Sequence, residues 1–198
     1  MIDTRRYRWR VAGVGIAVLI AFSLYLFARG GAASTPGVAA GQRLHRFVAP
    51  LATSNLDASA NVHPHCDPAR PARRGLNVCG RGPIALAFFS VGAGACEHSV
   101  DALQAISRKQ ARTGIEFAAV AVGAGKAPTA ELVRRNRWTI PVAYDPTGVV
   151  GSLYGVSVCP LIELAGDGGL VSRRLIGDRW ERPGALATQV REFAASLT

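Results

Sequence analysis

The stretch PIALAFFSVGAGACEHSVDALQAISRKQ, Pro83 to Gln110, constrains this chain more than any other. Its first nine residues form an almost unbroken apolar run headed by Pro83, the pattern of a strand buried on both faces of a sheet. Gly92, Ala93, Gly94 and Ala95 then make a tight, small-sided turn. From Cys96 the period becomes helical: Cys96, Val100, Leu103 and Ile106 share one face, while Glu97, Asp101, Arg108 and Lys109 look outward. A cysteine is therefore predicted in the first helical turn, at the C-terminal end of a buried strand.

The unpaired N–H groups and the dipole of a helix N-terminus favour an anion, so a reduced thiol there ionises more readily than in free solution. Only the thiolate attacks disulfides or peroxides. A small buried residue under a turn, or half of an inert disulfide, fits this segment as well, and the segment by itself leaves these readings open.

Strand, turn, cysteine and helix, followed much later by Cys159-Pro160 at the head of another apolar strand, resemble the thioredoxin-like superfamily. The nearest resemblance is to its extracytoplasmic redoxin branch, the TlpA-type proteins and peroxiredoxins, and it spans roughly Leu44 to Leu197. It implies an α/β fold, a thioredoxin-like three-layer sandwich with a central mixed sheet and helices on both faces. Phe88 and Phe89 match the aromatic pair before the motif, and Cys96 matches the second cysteine of CxxC. Ala93 stands in place of the first, so a vicinal dithiol cannot form. The position of the buried acid that assists proton transfer in thioredoxins is Ala87. In the peroxiredoxin pattern the Thr or Ser three residues before the peroxidatic cysteine is again Ala93, and no Pro precedes it in the turn, which makes peroxidase activity the weaker expectation. The resemblance further implies that Pro160 is cis and that Cys159 faces Cys96 across a groove.

The chain has 198 residues, enough for one α/β domain and an appendage. The appendage is at the front. Residues 1–10 are a basic segment with Arg5, Arg6, Arg8 and Arg10, followed by an uncharged apolar run over 11–28. Eighteen helical residues span roughly 27 Å, close to the hydrocarbon thickness of a bilayer. The arginines predict a single-pass transmembrane helix with the N-terminus cytoplasmic and the domain extracytoplasmic. Ala32, Ala33 and Ser34 could serve a signal peptidase, but the length of the apolar core favours an uncleaved anchor. Residues 29–43 read as a flexible linker. The formal net charge is +10, of which +6 lies in residues 43–198. Its arginines are scattered without aromatic interleaving, so no nucleic-acid partner is expected, and a basic surface near anionic headgroups accounts for them.

Within the domain, 44–198, Leu44 to Leu51 reads as a first strand, and about 52–82 as a long turn-rich insertion. Gly114 to Val122 is a second buried strand, Ala127 to Trp138 a helix, Thr139 to Tyr144 a short strand and Gly148 to Tyr154 a short helix. Pro160 heads the strand Leu161 to Leu164, GDGG at Gly166 to Gly169 is a hairpin signal before Leu170 to Ile176, and Pro183 to Leu197 is a closing amphipathic helix.

Four cysteines in an exported domain suggest two disulfides, with three connectivities open from the count alone. The element order of the redoxin pattern implies Cys66 with Cys79, a structural staple of the insertion contributing about 3 kcal/mol, and Cys96 with Cys159. The second pair is the expected active couple, with Cys96 attacking, Cys159 resolving and Pro160 shaping the groove. A permanent staple is the alternative reading of that pair.

His63, His65 and Cys66 form an HPHC cluster of a kind that suits copper or zinc, but it lies in a loop and its cysteine has an expected partner, so no metal or other cofactor is expected. His98 points about 200° away from Cys96 on an ideal helix, and His45 has no assigned role. The resulting expectation is a membrane-anchored extracytoplasmic thiol-disulfide oxidoreductase acting on exported protein thiols and disulfides. A noncatalytic thioredoxin-fold interaction domain, a peroxiredoxin-like antioxidant and a copper- or zinc-handling module are the alternatives. An uncleaved anchor predicts that N-terminal sequencing of the membrane fraction begins at Met1; a start near Thr35 would refute it.

Overall fold

The computed structural model describes residues 16, 18–22, 35–66, 75–80 and 82–197. They belong to two units, Met1–Thr35 and Pro36–Thr198. In the first, residues 16 and 18–22 are helical, with Ile16, Val18, Leu19, Ile20 and Phe22 exposed. Among the described residues no helix is long and apolar enough to cross a membrane. The span predicted over 11–28 lies mostly outside them.

The second unit runs β1 (Phe47–Pro50), β2 (Gly75–Val78), β3 (Ile84–Phe89), α1 (Gly94–Lys109), β4 (Glu116–Val122), α2 (Lys126–Asn136), β5 (Val142–Asp145), α3 (Val149–Leu153), β6 (Leu161–Ala165), β7 (Val171–Ile176) and α4 (Pro183–Ala195). Single 3-10 turns lie at Asp167–Gly169 and Asp178–Glu181. Five strands form a mixed sheet in the order β5-β4-β3-β6-β7, with β3, β4 and β5 parallel and β6 and β7 antiparallel to their neighbours.

β3 is central, and all six of its residues are buried. Side chains alternate across a sheet, so Ala85, Ala87 and Phe89 enter one core while Ile84, Leu86 and Phe88 enter the other. This double burial is why the sequence shows an uninterrupted apolar run there. Burying Phe88 and Phe89 contributes about 2–3 kcal/mol each.

The first core packs α1, α2 and α4 on the sheet through Val100, Leu103, Leu132, Leu186, Val190 and Phe193. Gln104 of α1 is buried, and its Oε1 accepts the backbone N–H groups of Thr139 and Ile140, at 3.0 Å for Ile140. The second core is covered differently from the expected pair of helical layers. Its cover is the short α3 together with a two-stranded β1-β2 ribbon. The insertion at 52–82 therefore contains a strand, β2, paired antiparallel with β1 in the register Phe47↔Val78. The first strand is shorter than the expected Leu44–Leu51. Its N-terminal flank is held separately by an isolated bridge between Arg43 and Leu170.

α3 is only five residues long, and two features hold it in place. Asp145, fully buried, accepts N–H groups from Val149, Val150 and Gly151 at 3.1, 2.9 and 3.0 Å, serving the orphan donors of the helix start. Gly151 lets that helix lie against β4, because a Cβ there would run into Val122.

Glu163 is the one charged residue of β6, and it faces the second core beside Leu86 of β3. Its Oε1 accepts the Val38 N–H at 2.6 Å, and its Oε2 has no hydrogen-bond partner among the described residues. Burial pushes its carboxyl up to about 7, opposed by the Val38 N–H and by the charge of Arg174. A raised carboxyl contributes stability that is complete below its ordinary range and is lost as pH rises through the folded value. The wild-type chain should therefore lose up to about 3 kcal/mol from this group between about pH 4.5 and pH 7. Glu163→Gln should flatten that part of the profile in denaturant titrations. An unchanged slope would show that Glu163 does not change charge on unfolding.

Candidate functional site

Two pieces of chain converge at the C-terminal end of β3. The first is the turn into α1. Gly92 takes φ 85°, the left-handed region open to glycine, and reverses the chain after the strand. Ala93 caps α1 without a side-chain hydrogen bond. Glu97, one residue after Cys96, reaches back: its Oε1 accepts the Gly92 N–H at 2.8 Å, while its Oε2 takes Arg135 Nη2 at 3.4 Å. The sequence reading placed Glu97 on the outer face and missed this brace. An acid in the first helical turn, able to serve an N–H just before the helix, was the available signal.

The second piece is the loop from α3 to β6. The Tyr154 hydroxyl donates to the His45 carbonyl at 2.6 Å, and its ring packs on Phe88 at 4.6 Å. Burial, and then the nearby Glu163, hold this phenol well above its ordinary value, so it remains a donor. The Val156 N–H donates to the Gly151 carbonyl at 2.8 Å. From this anchor the chain passes through exposed Ser157 and Val158 to Cys159, and the Cys159-Pro160 peptide is cis. Pro160 is buried, and its carbonyl accepts the Gly177 N–H at 3.1 Å.

The structure brings Cys96 and Cys159 together as a disulfide with Cα atoms 5.6 Å apart, across a sequence separation of 63. Cys96 is the third residue of α1 and is buried; Cys159 is partly buried against the same core. Below them Phe89 meets Trp138 edge-on at 5.7 Å, and Trp138 Nε1 donates to Asp101 of α1 at 2.6 Å. Ala87, where the resemblance would place a buried acid, is fully buried and has no titratable group. Glu163 does not replace it, because it belongs to the opposite face of the sheet. A crosslinked pair at the start of a helix, reached from a surface loop, is suited to thiol-disulfide exchange.

Cys66 and Cys79 form the second disulfide, Cα–Cα 5.7 Å, closing a loop within the insertion, with Cys79 the residue after β2. His63 and His65 are exposed beside it, and the His63 N–H donates to Asn61 Oδ1 at 2.9 Å. Among the described residues no three His, Cys, Asp or Glu side chains are placed to hold a metal ion. His98 is exposed on α1. His45 packs edge-on against Tyr154 at 5.4 Å, a structural contact.

No protein-family model matches the sequence, and no curated protein matches it. Solved structures do. One is a protein from Chlorobium tepidum assigned as a thiol:disulfide interchange protein DsbE, at 20% identity and TM-score 0.61 over 79% of this chain and 99% of that one. Another is a secreted Mycobacterium tuberculosis disulfide oxidoreductase homologous to E. coli DsbE, at 15% and 0.53 over 60% and 89%. A third is the peroxidoxin BcpB of Mycobacterium tuberculosis, at 13% and 0.56 over 80% and 95%. At these identities the likeness shows the fold alone, which is thioredoxin-like.

Replacing both Cys66 and Cys79 with Ser should lower stability by about 3 kcal/mol, read by urea unfolding, while mass spectrometry still finds the Cys96–Cys159 bond. Loss of that second bond in the double variant would show that the two crosslinks are not independent.

Proposed function

We propose that this chain is a membrane-anchored, extracytoplasmic thioredoxin-fold protein that exchanges disulfides with exported proteins through Cys96 and Cys159. One observation carries the reading: two cysteines remote in sequence are bonded between the first turn of α1 and the loop of the cis proline. A crosslink chosen only for stability could sit anywhere in the domain. This one sits where a helix start stabilises a thiolate and where an exposed loop brings one sulfur toward solvent.

The solved structures similar to this chain include proteins described as thiol-disulfide oxidoreductases, which supports the same chemistry. Export is supported by the four arginines before the apolar run at 11–28, and by one similar protein being described as secreted. The peroxidase alternative is weakened by Ala93, which offers no hydroxyl to orient a peroxide. The noncatalytic alternative draws on one observation, the 6% exposure of Cys96, since a sealed sulfur suits a staple.

Redox titration of the full chain with disulfide mapping separates these readings. The exchange reading expects the Cys96–Cys159 bond to titrate above about −300 mV and the reduced chain to cleave insulin disulfides; a potential below about −300 mV would mark a staple. Cys96→Ser should abolish catalytic turnover of insulin disulfides, whereas full turnover in that variant would remove the couple from the reaction.

A further inference from the structure

The two sulfurs of the couple are not equally reachable. Cys96 is 6% exposed and shares its helix face with Val100 and Leu103, both fully buried. Partly buried Ala93 packs against the same core just ahead of it. Cys159 is only partly buried and follows two exposed residues, Ser157 and Val158, the second 41% exposed. In disulfide exchange, access selects the sulfur that is struck, and thiolate stability selects the sulfur that departs. Here both criteria give one order. The reachable sulfur is Cys159 Sγ. The sulfur in the first turn of a 16-residue helix, where the dipole favours an anion, is Cys96.

We infer that Cys159 carries the mixed disulfide with the partner and that Cys96 is the buried leaving and resolving thiolate, the reverse of the order read from sequence. The inference rests on the exchange reading of this couple and assigns its chemistry atom by atom. A thiolate of a partner dithiol attacks Cys159 Sγ; the partner–Cys159 bond forms, the Cys96–Cys159 bond breaks, and the electron pair leaves on Cys96 Sγ. The partner's second thiolate then attacks its own sulfur in the mixed disulfide and Cys159 departs as thiolate. The partner is oxidised by two electrons and this chain is reduced by two. In the opposite direction the Cys159 thiolate opens a partner disulfide. The Cys96 thiolate then attacks Cys159 Sγ, restoring the internal bond and releasing the partner's dithiol. Ala93 leaves the turn without a sulfur of its own, and the described residues hold no free cysteine to compete. The partner is accordingly a protein whose cysteine pair is exposed enough to reach a surface loop.

The test uses the full chain. Oxidised wild-type protein is mixed with reduced glutathione, trapped with iodoacetamide and mapped by mass spectrometry. Glutathione is expected on Cys159 and the alkyl label on Cys96. In parallel, reduced Cys96→Ser and Cys159→Ser are challenged with oxidised glutathione and with insulin. Cys96→Ser should form mixed disulfides about tenfold faster or more, with a wider gap for insulin because bulk penalises the buried sulfur. Glutathione on Cys96, or faster capture by Cys159→Ser, overturns the order while leaving the couple redox-active. A bond that stays closed at every glutathione potential overturns the exchange reading and this inference together. The wild-type mapping stands even where a variant fails to fold.

Discussion

The burial of β3 on both faces is the constraint from which the remaining architecture follows. A strand with no polar face needs a cover above and a cover below, and Phe88 and Phe89, adjacent in sequence, are committed to opposite cores. Its parallel neighbour requires a crossover, which α1 supplies, so the helix must begin close to where the strand ends. That requirement places Cys96 at the end of the sheet. The antiparallel neighbour β6 begins at the same end of β3, with Leu161 opposite Phe88, which delivers Cys159 to the same neighbourhood. The meeting of the two sulfurs is thus a product of sheet topology.

Much of this was legible because the strongest signals are local. An unbroken apolar run, a change of period at Cys96, a proline after Cys159 and a glycine-rich turn each depend on neighbours within a few residues. The GDGG signal marks a 3-10 turn in which Gly168 and Gly169 both have positive φ, and β7 follows as expected. The ribbon strand β2 was illegible for the opposite reason. Its four residues, GLNV, bury only Leu76 and Val78 and lie inside a turn-rich segment, so its pairing partner in β1, not its own pattern, makes it a strand.

The buried polar residues were illegible too, because each is explained by a remote partner. Glu163 sits in LIELA, where periodicity says only that a buried strand passes through; its acceptor role is written at Val38, 125 residues away. Gln104 looks like any helical amide until Thr139 and Ile140 supply the donors that need it. Depth is a property of the same kind. The resemblance to the redoxin pattern implied that Cys96 and Cys159 meet, yet only the packing of α1 and the course of the 157–159 loop distinguish the sealed sulfur from the reachable one.

Because the Cys96–Cys159 bond joins two different elements instead of closing a small ring within one turn, redox state and folding are linked through a single thermodynamic cycle. A crosslink across 63 residues restricts the unfolded ensemble by about 4 kcal/mol in the chain-entropy picture. The cycle must close, so whatever the bond adds to folding, folding adds in equal measure to the preference for disulfide over dithiol. Substitutions that destabilise the oxidised domain more than the reduced one will also make its sulfurs easier to reduce, and those that weaken both forms equally will not. In this architecture the tendency to hold or surrender electrons is distributed through the fold.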